Sequence, residues 1–91
     1  MAFTDIEIAE AREAASHQGA EPHDLYRLGL IYSTGQGAPI DLVEAHKWFN
    51  LAATRGYEAA KACRRELADQ MTSEELKLAL RGAREWLEVV H

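Results

Sequence analysis

Apolar positions return every three to four residues along most of the chain. Leu25, Leu28, Gly29 and Tyr32 fall on one helical face, and Ala45, Trp48, Phe49 and Ala52 fall on another. A longer stripe runs through Leu76, Ala79, Leu80, Ala83, Trp86, Leu87 and Val90. Alanine, leucine, glutamate, lysine, arginine and glutamine recur throughout, and β-branched runs are absent, a composition that favours helix. The periodicity predicts five helices, over residues 4–17, 22–34, 41–55, 58–70 and 73–90. The joining loops are short, so sequential helices should pack antiparallel. The expected fold class is all-α, built of αα-hairpins.

Capping signals mark the ends. Thr4 with Glu7 and Thr72 with Glu75 have capping-box spacing, flanked by the staple pairs Phe3–Ile8 and Met71–Leu76. Asp41 offers a cap for the third helix. Gly19, Gly35 and Gly56 each follow a helical pattern, where a chain leaves through positive φ. The two prolines, Pro22 and Pro39, lie beside glycine-containing turns and outside the helical patterns.

Small residues at Gly29, Ala45, Ala52 and Ala53 let two helices approach closely, with Tyr32, Trp48 and Phe49 filling the space beside them. A weak self-similarity recurs at a spacing near 37: AREAASHQG (11–19) resembles KWFNLAATRG (47–56), each an alanine-rich helix end closed by glycine. Such periods mark solenoids. Residues 28–56 then carry a more specific pattern: Leu28-Gly29, Tyr32, Gly35, Gly37, Asp41, Ala45, Trp48, Ala52-Ala53 and Gly56. This segment resembles the Sel-one-like repeat, a helix–turn–helix unit related to the tetratricopeptide repeat; Ala38 departs from the usual valine. Residues 4–21 resemble a degenerate half repeat, and residues 57–71 another, with Arg64, Arg65 and Glu66 in place of its Leu-Gly. Residues 72–91 resemble a closing helix of some bacterial members. The resemblance implies one domain over 1–91, a fragment of a right-handed αα-superhelix, acting as a protein-binding scaffold or adaptor without catalysis or cofactor.

Gly35-Gln36-Gly37 raises a rival reading, a phosphate cradle. Such loops follow a strand and continue to a third glycine or to Gly-Lys-Ser/Thr. Here a helix precedes, and Pro39 and Asp41 start the next one, so the glycines read as an interhelical turn.

Net charge is −5, which disfavours non-specific binding to nucleic acid or to anionic membrane. The chain lacks a run of 18 apolar residues of the kind that spans a bilayer. With 47% hydrophobic residues in 91, it has enough for one folded domain. Cys63 is the only cysteine, so an internal disulfide is impossible, and a reducing cytoplasm fits best. The N-terminus carries early acids and does not read as a secretory signal.

Candidate chemistry is thin. His17 and His23, near Glu21 and Asp24, lack metal-ligand spacing and read as a solvated turn. His46 and Cys63 could pair as base and nucleophile, but nothing resembling an oxyanion motif accompanies them. Asp5-Glu7 and Glu74-Glu75 sit in first helical turns, where they stabilise N-termini. Lys61, Arg64 and Arg65 form a basic patch, read either as a solvated face or as a site for an acidic partner.

The residues expected to bind a partner are His23, Tyr26, Arg27 and Leu30 on the second helix, off its inward stripe, with Thr34 on the same line. Arg64 or Arg65 should lie beside them if the hairpins stack, though the register of their helix is ambiguous from sequence. The expected ligand is a protein or peptide, acidic in character. The expected state is a monomer or weak homodimer, with Trp86 either covering the repeat's end or forming a homodimer seam. The rival function is a structural homo-oligomer assembling through the Trp86 helix; a small hydrolase subunit ranks third.

Overall fold

A computed structural model describes Ile6 and residues 21–90 of the chain, with side chains described as far as Glu88. The expected helix at 4–17, with its Thr4–Glu7 box, and the Gly19 stop lie outside the described residues, Ile6 excepted. From residue 21 onward four helices follow: α1 (Pro22–Thr34), α2 (Leu42–Thr54), α3 (Glu58–Ala68) and α4 (Ser73–Val90). Their starts and stops agree with the sequence expectation to within two residues. Among the described residues there is no strand.

α2 is the hub, packing on α1, α3 and α4. Its sequence explains this. Ala45, His46, Phe49, Leu51, Ala52 and Ala53 are all buried, so α2 has little outward face to give to water. α1 contributes Leu25, Leu28 and Ile31, each at most 1% exposed. Ile31 lies off the stripe read from sequence and is nonetheless core.

Gly29 sets the closeness of the α1–α2 hairpin. A Cβ at this position would stand 2.4 Å from Phe49 Cδ1 and 2.5 Å from Cε1, so only a hydrogen fits between the α1 backbone and the ring. The turn that follows uses Gly35 at φ 74° and Gly37 at φ 104°. Gly35 N–H donates to the Ile31 carbonyl at 3.1 Å, and Asp41 N–H reaches back to the Tyr32 carbonyl at 3.0 Å. Asp41 then caps α2, its Oδ1 accepting from Glu44 N–H at 3.1 Å. The glycines thus close a loop between two helices.

α2 ends in a Schellman arrangement. Tyr57 N–H donates to the Ala52 carbonyl and Gly56 N–H to the Ala53 carbonyl, with Gly56 at φ 88°. This exit places the Tyr57 ring against Tyr26, centroids 4.9 Å apart. α4 starts with the Thr72 capping box in full. Thr72 N–H donates to Glu75 Oε1 at 2.9 Å, and Glu75 N–H donates to Thr72 Oγ1 at 3.1 Å.

α4 lies on α2 through Ala79, Ala83 and half-buried Trp86. Trp86 meets Trp48 edge-on, with centroids 6.2 Å apart. Glu44 orients Trp48 by accepting from its indole N–H at 3.0 Å while pairing with Lys47 Nζ at 3.1 Å. The buried face of α4 is narrower than its apolar stripe. Leu80 and Leu87 belong to the stripe by spacing, yet they are 45% and 43% exposed because small alanines make the closest contact and leave the flanking leucines at the margin.

Candidate functional site

Two surface hollows flank α3; of the residues singled out from sequence, Leu30 lines one, Arg64 and Arg65 line the other, and His23, Tyr26 and Arg27 line neither. The first is a groove of about 220 Å³ between α1 and α3, floored by α2. Leu30 and Ser33 form one wall; Cys63, Glu66, Leu67 and Gln70 form the other; Leu42 and Phe49 lie beneath. Cys63, Glu66 and Leu67 have the spacing i, i+3, i+4 on a single face of α3, and Gln70, in the turn just past its end, continues the line. That face resolves the register left open by the sequence.

Tyr26 and Leu30 are half-buried and pack on the core. The Tyr26 ring sits between Phe49, at 5.6 Å, and Tyr57. Its hydroxyl is pushed above the ordinary phenol range, first by burial and then by the neighbouring Cys63 thiol. Tyr26 therefore has a packing role that its position off the stripe did not suggest. Arg27 pairs with Asp24 at 3.7 Å, and His23 lies 3.3 Å from the same carboxylate. Thr34 Oγ1 donates to the Leu30 carbonyl at 2.7 Å, which holds the last turn of α1 beside the groove.

Arg64 and Arg65 do not join this groove. They lie well round α3 from Cys63 and Leu67 and line the second hollow with Ala68 from α3, His46 and Asn50 from α2, and Leu76 and Leu80 from α4. Arg64 Nη1 donates to Asn50 Oδ1 at 2.9 Å. Lys61, the third member of the basic patch, pairs with Glu58 at 2.9 Å. The expected single basic groove is thus two surfaces. The groove beside Leu30 carries a carboxylate, Glu66, and the arginines serve the other side.

Sequence reasoning passed over His46 as a wall of this second hollow. Its neighbours Ala45 and Phe49 are core, and it follows them inside, at 4% exposure. Nδ1 finds no hydrogen-bond partner among the described residues. Burial, and then the charge of Arg64, lower the imidazole's pKa below its usual value. The signal available in sequence was its position on a helix with almost no polar face.

This arrangement has a pH consequence. The folded pKa of His46 is lower than the unfolded one, so the unfolded chain takes up the proton first as pH falls. Stability is expected to be full above about pH 6.5, the ordinary histidine value, and to decline below it. His46→Leu should flatten that part of the curve, read as urea midpoints between pH 7.5 and 5. A variant with an unchanged slope would mean that His46 is not held neutral.

Among the described residues, no group of three or more His, Cys, Asp or Glu is gathered as a metal site. Among the same residues, no helix is long and apolar enough to cross a membrane.

Two antiparallel helices joined by a glycine turn, with a third laid against the second, define an αα-hairpin repeat. The family model for the Sel1 repeat matches residues 22–57, from the first residue of α1 to the tyrosine that closes the α2 cap. The chain carries a Sel1 repeat there, and the residues of the motif have structural duties: Gly29 for close approach, Asp41 for the cap, Ala45 and Ala52 for the buried face. Sel1 repeats form a non-catalytic family that mediates protein–protein interaction. Neither the curated proteins nor the solved structures contain a significant match to the chain.

Proposed function

We propose that the chain is a non-catalytic interaction module that holds a segment of a partner protein in the groove between α1 and α3. The observation that carries this reading is the groove itself. Leu30, Leu42, Phe49 and Leu67 line an open hollow on a repeat whose family binds proteins. An apolar side chain of the partner would enter between Leu30 and Leu67. Glu66 on the rim favours a neutral or basic flank there, and Arg27 and His23, on the adjoining turn of α1, extend the contact surface toward acidic groups. Tyr26 supports the wall from within.

The rest of the chain fits around this role. Residues 57–71 act as a worn half repeat, and α4 covers the end that a further repeat would otherwise cover. The Trp86 ring is engaged with Trp48 inside the chain, which supports a monomer over a Trp86-based homodimer. The function needs no cofactor, and a cytoplasmic setting suits the single half-buried Cys63.

Leu30→Glu tests the groove. Leu30 is half-buried, so the substitution should cost about 1 kcal/mol, part of the roughly 1.5–3 that full burial of such a side chain provides. The chain should still fold by circular dichroism. Proteins captured from the native cell by the unmodified chain should be lost with Leu30→Glu and kept with Lys77→Ala, a change at a side chain that is 72% exposed and remote from the groove. Identical capture by a folded Leu30→Glu chain would remove this face from consideration.

A further inference from the structure

The second hollow has its own chemistry, independent of the groove beside Leu30. It measures about 430 Å³ and is bounded by three helices. One side is cationic: Arg64 and Arg65 make no ion pair among the described residues, whereas Lys47, Lys61 and Lys77 each pair with a glutamate one turn earlier. Both guanidinium groups line the same hollow. Asn50 turns one of them, accepting from Arg64 Nη1 at 2.9 Å, so that guanidinium is held in place rather than free in solvent. The other side is apolar, with Ala68 and Leu76 beneath and Leu80 at the edge. His46 adds a nine-tenths buried imidazole whose Nδ1 has no hydrogen-bond partner among the described residues.

We propose that this hollow between α2, α3 and α4 receives the C-terminal residue of a partner polypeptide, its α-carboxylate against Arg64 and Arg65 and its apolar side chain on Leu76 and Leu80. Charge complementarity selects an anion, and the apolar wall selects what the anion must be attached to. A simple anion such as phosphate would satisfy the arginines and leave the leucines uncovered. A terminal leucine or similar residue presents both groups from one Cα, so a single residue fills a small hollow. An internal glutamate would require the chain to pass on through the site. A guanidinium pair also matches the planar carboxylate, which can accept two parallel N–H bonds. Arg64 is the positioned partner and Arg65 the exposed one. His46, buried, forms part of the wall.

The test uses an acetylated glycine–serine hexapeptide ending in two leucines, prepared as the free acid and as the amide. Binding is followed by NMR on the whole chain. The free acid should bind saturably below about 1 mM. The amide should bind at least roughly tenfold more weakly, the lower end of what one hydrogen bond to a charged group supplies. Shifts should appear at the His46 imidazole and the Leu76 and Leu80 methyls, and not at the Leu30 methyls. Arg65→Gln should weaken the free acid by a similar factor without loss of fold, since the exposed Arg65 side chain makes no ion pair among the described residues. Leu30→Glu should bind the free acid as well as the unmodified chain does, which separates this site from the α1–α3 groove. Three results would each overturn the proposal: no saturable binding of the free acid, equal binding of the amide, or equal binding of an amidated peptide with an internal Glu-Leu pair.

Discussion

Phe49→Ala is expected to cost about 3–5 kcal/mol, the usual range for removing a buried aromatic ring. Phe49 is 1% exposed and sits where α1 and α2 meet beneath the α1–α3 groove. Its ring fills the gap left by Gly29 and touches Tyr26. Alanine there would leave a cavity that the backbone cannot close without moving α1. Domains of this size have a total stability of about 5–15 kcal/mol, so a large part would go. Urea unfolding followed by circular dichroism measures the loss. A change of less than about 1 kcal/mol would contradict the central place given to this ring. Because Phe49 also floors the groove, any partner held there should be lost with it.

Gly29→Ala is the second large effect, and two opposing terms decide its sign. Alanine is the better helix former by about 1 kcal/mol in a helix interior. Against that, the new Cβ would lie 2.4–2.9 Å from three atoms of the Phe49 ring, closer than real Cβ contacts come. Phe49 has no exposed side toward which to yield, so the helices must separate. Overpacking of this kind costs about 1–3 kcal/mol and occasionally more, enough to outweigh the propensity gain. The net expectation is destabilisation. A double-mutant cycle sharpens it: Gly29→Ala combined with Phe49→Leu should cost less than the sum of the two, because the smaller side chain makes room for the methyl. Strict additivity, or a stabilised Gly29→Ala chain, would show that the two helices are not in the close contact described.

Both predictions concern residues that the apolar stripes had already marked, and this is where the sequence was most informative. Local chemistry is written in short stretches. The reciprocal bonds of Thr72 and Glu75 and the Asp41 cap depend on residues three apart, so spacing alone reveals them. Gly35 and Gly56 announce positive φ because other residues are strained there. The 3.6-residue stripe likewise shows which side of α1 and α2 turns inward.

What spacing could not show was which residues meet across helices. The same stripe logic placed Tyr26 and Leu30 on an open face and Arg64 or Arg65 beside them. The chain instead leaves α2 through the Gly56 cap at an angle that turns Cys63, Glu66 and Leu67 toward α1 and the arginines toward α4. One residue of register, a rotation of about 100° about the helix axis, decides between the two outcomes. The local signal in α3 is a stripe of only Ala60, Cys63 and Leu67, most of them small, beside two arginines that the repeat resemblance had drawn toward the groove. Burial of His46 also needs the tertiary structure: its place beside Ala45 and Phe49 hinted at it, and the three helices packed around α2 complete it.

The sequence by itself therefore determined the helical class, the ends of its helices, the glycine turn and the repeat, all of them products of interactions a few residues apart. The tertiary structure decided the partition of the polar residues into a groove with a carboxylate rim and a separate hollow lined by two arginines. The physical reason is that charge placement depends on helix rotation, and helix rotation is set by side-chain packing between elements, such as Gly29 on Phe49, Tyr57 on Tyr26 and Trp86 on Trp48.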